Sequence, residues 1–230
     1  MNSQLGQLAQ WESDINNDDI ISVQEFGSNF TARALWHICY KYGVRTLECD
    51  QKARLVDPLW FSNWEGPGAL YFTRLTPGLT TPINGPSVRE MPYFLVPDHT
   101  GFPSKLAIPY YYGSVDSQCR WGAISVDFRT NEIVIFHSQM GKQDFDQARE
   151  LMEQFYYSFK TLFDAGKEIQ FREWGSVQQR NADYYSTGLF TCLIVIELLK
   201  GKSPDTTIIE KTYEETQALR KQWTDDLKRT

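Results

Sequence analysis

Three histidines, at positions 37, 99 and 137, and four cysteines, at 39, 49, 119 and 192, have the strongest claim to chemistry in this chain of 230 residues. A cysteine with a histidine beside it is the minimum for nucleophilic catalysis, because the imidazole takes the thiol proton and the thiolate attacks. The same two residue types are what zinc asks for, but no C-x-x-C pair occurs. A site built from His37, Cys39 and Cys49 would lack a fourth ligand, so neither metal nor cofactor is expected. His37, in Trp36-His37-Ile38-Cys39, reads as a satisfied helix residue, and His99, in Pro97-Asp98-His99-Thr100-Gly101, as a turn residue. Cys192 falls in the most apolar stretch of the chain, where cysteine is usually a small inert hydrophobe. Cys119 precedes Arg120, whose charge would favour a thiolate.

Those residues need elements to position them, and the composition allows a real core. Apolar residues make up 41% and aromatics 14%, which excludes disorder over most of the length. Lys and Arg number 23 against 29 Asp and Glu, a net charge of −6, so a broadly basic nucleic-acid surface is disfavoured. The first residues, MNSQLGQLAQWESD, lack a basic stretch followed by an apolar one, so no secretory signal is expected. The longest apolar run, Leu189 to Leu199, is too short to span a bilayer. The expectation is an intracellular protein with reduced thiols.

Ile20 to Tyr42 reads as helical with a break near Gly27-Ser28-Asn29; Phe30, Ala34, Ile38 and Tyr42 share a face, and Gly43 is the expected stop. Prolines and glycines dominate from 65 to 109, with Tyr93–Val96 and Leu106–Tyr110 as strand candidates. Trp121–Phe128 alternates, Arg129-Thr130-Asn131 turns, and Glu132–Phe136 answers, which is a hairpin signal. Phe145–Phe163 follows as an amphipathic helix and Ile169–Trp174 as a short strand. Thr187–Lys200 is apolar nearly all round, the mark of a helix at the centre of a fold, and Gly201 ends it. Pro204–Thr230 reads as a polar terminal helix. With no linker visible, the expectation is one α+β domain over 1–230, with a core at about 11–200 and a C-terminal helix at 203–230.

In this order four segments resemble the ubiquitin-like-protein proteases, the SUMO-protease and adenain-like cysteine peptidases. Asn17-Asp18-Asp19-Ile20-Ile21 resembles their N-terminal W-L-N-D-x-x-I, and Leu106-Ala107-Ile108-Pro109 the strand before their catalytic histidine. Arg120-Trp121-Gly122-Ala123-Ile124-Ser125-Val126-Asp127 with Ile133–Ser138 is similar to H-W-x-L-x-x-I-D … I-x-x-x-D-S. Gln178-Gln179-Arg180-Asn181 followed by Gly188-Leu189-Phe190-Thr191-Cys192 is similar to P-Q-Q-x-N-x-x-D-C-G-x-F-x-C. The resemblance implies a papain-like or adenain-like fold, a central mixed sheet flanked by helices with one helix buried.

It also implies where a Cys–His–Asp triad would sit. The histidine position falls on Arg120, which is always charged and cannot act as a base. The acid position, 17 residues on, is His137, and the nucleophile position, just before Gly188, is Thr187. The oxyanion glutamine is retained as Gln179, in a loop two residues longer than the pattern. Cys119 lies on the wrong element for that geometry. With all three chemistries replaced, no catalytic residue is expected. A Thr187 nucleophile with His137 as base is disfavoured, because an internal threonine has no thiolate-like acidity. The bland role of Thr187 is to cap its helix, in competition with Ser186.

The expected function is therefore a pseudoprotease that binds another protein or serves as a scaffold subunit. The partner is SUMO or another ubiquitin-like protein, its tail passing Trp121, or an unrelated complex using a repurposed surface. The Pro-rich 65–109 region, which departs from the family pattern, favours the second. Candidate binding residues are Trp121, Tyr110, Tyr111 and Tyr112, aromatics being favoured interface anchors. Arg120 is expected to pair with Asp127 or another acid. The alternative is an active cysteine peptidase with a non-standard triad built on Cys39, Cys49, Cys119 or Cys192. No membrane association is expected, and the family resemblance implies a nuclear address.

Overall fold

The structure, a computed structural model, describes residues 32–56, 93–112, 120–137, 142–174, 187–204 and 212–228. Its centre is the alternating segment that reads as a hairpin: β3 (Arg120–Asp127) and β4 (Glu132–Phe136) pair antiparallel, Ala123 opposite Phe136 and Asp127 opposite Glu132. The turn between them places Asn131 at φ +55, a left-handed conformation that asparagine tolerates. β2 (Lys105–Tyr112) lies antiparallel on the other side of β3, and β1 (Ala53–Leu55) runs parallel to β2 at one edge. β5 (Gln170–Trp174) runs parallel to β4 at the other edge. The result is a mixed sheet of five strands in the order β1-β2-β3-β4-β5.

Successive strand residues face opposite sides, so the alternation in sequence builds two cores. On one face Leu106, Ile108, Tyr110, Ile124, Val126, Ile133 and Ile135 pack with α2 (Lys142–Ser158) through Ala148, Met152 and Phe155. On the other, Ala107, Trp121, Ala123 and Phe136 pack with α1 (Ala32–Cys39) and α3 (Thr187–Leu199). Eleven of the 13 residues of α3 are buried, because it is covered by the sheet beneath and α1 beside it. Each large apolar side chain so buried stabilises by about 1.5–3 kcal/mol relative to exposure. α3 ends as its glycine implies: Gly201 takes φ +72, its N–H donates to the Leu198 carbonyl, and the Lys202 N–H donates to the Glu197 carbonyl.

α1 continues into a π-helical turn, Tyr40–Val44, and this changes the role of Gly43. Rather than stopping the helix in a left-handed conformation, Gly43 lets the backbone press on α3; a Cβ there would lie 2.6 Å from Leu199 Cδ1. The last helix, α4 (Tyr213–Lys228), docks on the same segment. The Tyr42 hydroxyl bonds to the Asp226 carboxylate, Lys41 Nζ donates to the Asp226 carbonyl at 3.2 Å, and Trp223 packs on the Tyr42 ring. Burial, then the hydrogen bond and the charge of Asp226, push the Tyr42 phenol far above its ordinary range.

Two further sequence expectations are corrected. Tyr93–Leu95 forms a 3-10 turn rather than a strand, inserting Phe94 and Leu95 into the α2-side core, both 0% exposed. Arg120 does not pair with Asp127. The two stand at opposite ends of β3, seven residues or about 23 Å apart, and Asp127 pairs with Lys105 instead, at 3.5 Å. Gly27–Asn29 and most of the Pro-rich region lie outside the described residues.

Candidate functional site

One corner of the molecule gathers the N-terminal end of β3, the C-terminal ends of β4 and β5, and the first turn of α3. The backbone N–H of Trp121 donates to Thr187 Oγ1 at 3.3 Å, tying the head of α3 to the start of β3. β4 ends at Phe136 opposite Ala123, and the N–H of His137 donates to the Trp174 carbonyl at 3.2 Å. By that register His137 follows the strand end beside Gly122, and Arg120 stands two residues farther along β3, roughly 8 Å away at Cα. The backbone positions 120, 137 and 187 thus share one corner of the sheet.

Of these three residues, Thr187 and His137 have described side chains, and each is engaged by a different partner. Thr187 is the first residue of α3 and 0% exposed, its oxygen already accepting the Trp121 N–H. It therefore ties its helix to the sheet. His137, 5% exposed, continues the parity of Ile133 and Ile135 and lies on the α2 side, its ring 6.3 Å from that of Phe145. Its Nε2 is 2.9 Å from Glu173 Oε1 on β5. α3 packs on the opposite face, so His137 is not placed to take a proton from Thr187. The Glu173 partner was missed from sequence; its signal was the parallel pairing of β5 with β4, which places Glu173 opposite Ile135.

The described cysteines are no better placed. Cys39 is the last residue of α1 and 0% exposed, and Cys192 lies well inside α3 and is also 0% exposed. Burial first, and then a hydrogen bond and charge interaction with Cys39, push the Cys192 thiol well up. Cys49, half-buried in a turn, is raised by burial and by Asp50, with Arg54 opposing. None stands at the head of a helix beside a histidine, which is what a displaced cysteine nucleophile would need. Among the described residues there is no cluster of His, Cys, Asp or Glu able to hold a metal ion. Gln179, Cys119 and Ser186 lie outside the described residues.

The expected binding aromatics are corrected in part. Tyr110 is 1% exposed within the α2-side core and Trp121 is 3% exposed under α3, so neither ring offers itself to a partner. Both alternate inward because they lie on the paired interior strands β2 and β3. The side chains of Tyr111, Tyr112 and Arg120 lie outside the description, although their backbones pair within the sheet.

A mixed sheet carrying a buried helix whose head abuts the start of the central strand is found in solved structures. The C-terminal Ulp1 protease domain, solved in complex with Smt3, the yeast orthologue of SUMO, superposes with a TM-score of 0.54 at 12% identity, covering 95% of this chain and 94% of that one. The fold is that of a SUMO protease. Ulp1 with its catalytic cysteine oxidised to a sulfinic acid superposes at 0.53 with the same identity and coverage. The form oxidised to a sulfenic acid superposes at 0.51, covering 97% of this chain and 92% of that one. No family model matches the sequence, and neither does any curated protein. The SUMO-protease, or adenain-like cysteine peptidase, fold is therefore retained at an identity that leaves the site to be read from this chain's own residues. Among the described residues no helix is long and apolar enough to cross a membrane.

Proposed function

We propose that this chain is a catalytically inactive SUMO-protease-like module that works by binding another protein, as a scaffold or docking subunit. One observation carries the reading: Thr187, in the position the resemblance assigns to the nucleophile, is sealed from solvent with its hydroxyl committed to the Trp121 N–H. A substrate carbonyl has no route to that oxygen. A second supports it, since His137 is engaged by Glu173 on the far face of the sheet from α3. Arg120, in the histidine position, cannot serve as a base.

The pure protein should give no turnover of fluorogenic SUMO or ubiquitin substrates above a blank lacking protein. Turnover that thiol alkylation abolishes would establish the alternative, an active peptidase with a non-standard triad. Thr187→Cys sharpens the test. In the native state its new thiol should react with iodoacetamide at least about 100-fold more slowly than in denaturant, because the site must open before reagent enters. Native alkylation as fast as that of a free cysteine would mean an accessible nucleophile position.

For the partner, the fold points to a ubiquitin-like protein, and the Pro-rich 65–109 region to a repurposed surface in an unrelated complex. Titration of isotope-labelled SUMO separates them. Shifted amide signals that saturate support the ancestral surface; an unchanged spectrum up to millimolar concentration supports the other. A nuclear address belongs to the same reading, on the resemblance alone.

A further inference from the structure

β5 closes one side of the sheet, and its backbone is paired along one edge alone. The Gln170 N–H donates to the Asn131 carbonyl at 2.8 Å, and the Trp174 carbonyl accepts the His137 N–H at 3.2 Å. The even-numbered residues of β5 therefore turn their backbone groups toward β4, and the N–H and C=O of Phe171 and Glu173 point away from the sheet. Among the described residues nothing pairs with those four groups. Such an edge is a template for one more strand. The side chains beside it are of mixed character. On the α2 side stand Phe171, half-buried with the Arg149 guanidinium 5.5 Å from its ring, and Glu173, 45% exposed although bonded to His137. On the α3 side stand Gln170, then Arg172, 63% exposed although paired with Glu132, and half-buried Trp174 against Phe136.

We propose that the free edge of β5 takes an extended segment of a partner protein as an added strand, which deepens the binding role and rests on it. A second copy of this chain is the wrong occupant. No twofold antiparallel register centred on Phe171, Arg172 or Glu173 sets Arg172 against an acid, and the one centred on Arg172 opposes two like charges. Charge complementarity asks instead for an acidic residue opposite Arg172, a basic one opposite Glu173, and apolar ones opposite Phe171 and Trp174. Along an antiparallel strand that order reads apolar-basic-acidic-apolar. The main-chain bonds to Phe171 and Glu173 hold the segment, and the four opposed side chains fix its register.

The test is titration of the isotope-labelled whole chain with the capped peptide Thr-Val-Lys-Glu-Val-Thr, whose Lys and Glu fall opposite Glu173 and Arg172. Amide signals of 170–174 should shift and saturate with a dissociation constant below about 1 mM. The Phe171 and Glu173 amides should then exchange with solvent about fivefold more slowly. Methylating the peptide nitrogens of the Lys and the second Val removes the two donors that face β5, and should weaken binding about tenfold or more. Exchanging Lys and Glu in the peptide should weaken it about threefold, and Arg172→Glu with Glu173→Lys should reverse that preference. No saturable shift, equal binding of the methylated peptide, or a preference unmoved by the double substitution would each overturn the proposal. Turnover of a SUMO substrate by the same protein would count against the inactive reading alone, because strand addition is read from the titration and not from cleavage.

Discussion

Asn131→Ala should lower the melting temperature by about 6–12 °C, the equivalent of about 3 kcal/mol in a chain of this size. Asn131 is 0% exposed and knots two loops together. Its Nδ2 donates to the carbonyls of Asp164 and Lys167, both at 2.7 Å, and its Oδ1 accepts from the Asp164 N–H at 2.8 Å. Its own carbonyl accepts the Gln170 N–H at 2.8 Å, the bond that starts β5 alongside β4. Alanine deletes three side-chain bonds at once. It also forces a Cβ-bearing residue without a local hydrogen bond to hold φ +55, which costs about 1 kcal/mol more. Asn131→Gly separates the two effects, since glycine removes the same bonds but accepts the angle. It should recover about 1 kcal/mol of the loss in urea denaturation. Equal losses for the two variants would mean that the left-handed turn carries no cost.

Gly43→Val should cost about 2–3 kcal/mol, read as a fall in the urea midpoint at unchanged slope. The added Cβ would meet Leu199 Cδ1 at 2.6 Å and Leu199 Cβ at 3.1 Å. The terminal methyl could rotate in open space, but Leu199 is 0% exposed, and its Cβ is fixed by the helix. The gain of about 0.5–1 kcal/mol normally expected from removing a glycine from a helix is already set against that figure. Leu199→Ala in the valine background should restore part of the loss, because the two positions compete for one volume. Strict additivity of the two substitutions would show that the clash is relieved elsewhere.

The strands β3, β4 and β5 and the helices α2 and α3 were legible from sequence because each is announced by its own periodicity. Alternation over 121–136 and the uniformly apolar run after Thr187 are local signals, and the structure follows them to within a few residues. Tyr93–Leu95 was misread because three apolar residues beside prolines have no period; what holds them is the core they enter. Gly43 was misread as a stop because a glycine after an apolar face has that meaning locally. Its actual neighbour, Leu199, is 156 positions away in the chain. The Arg120–Asp127 pairing failed for a plain reason: seven residues of extended chain separate their backbones, and Lys105 faces Asp127 across the sheet.

What the sequence by itself determined is the kind of fold and which residue types stand at positions 120, 137 and 187. Periodicity needs no distant partner, and arginine cannot be a base wherever it is placed. Only the tertiary structure decided what those positions can do. One residue of strand parity turns His137 toward Glu173 and α2, away from the face that carries α3. The burial of Thr187 follows from its contact with Trp121, 66 positions earlier. Exposure and facing are properties of segments brought together by packing, and no local pattern in the chain encodes them.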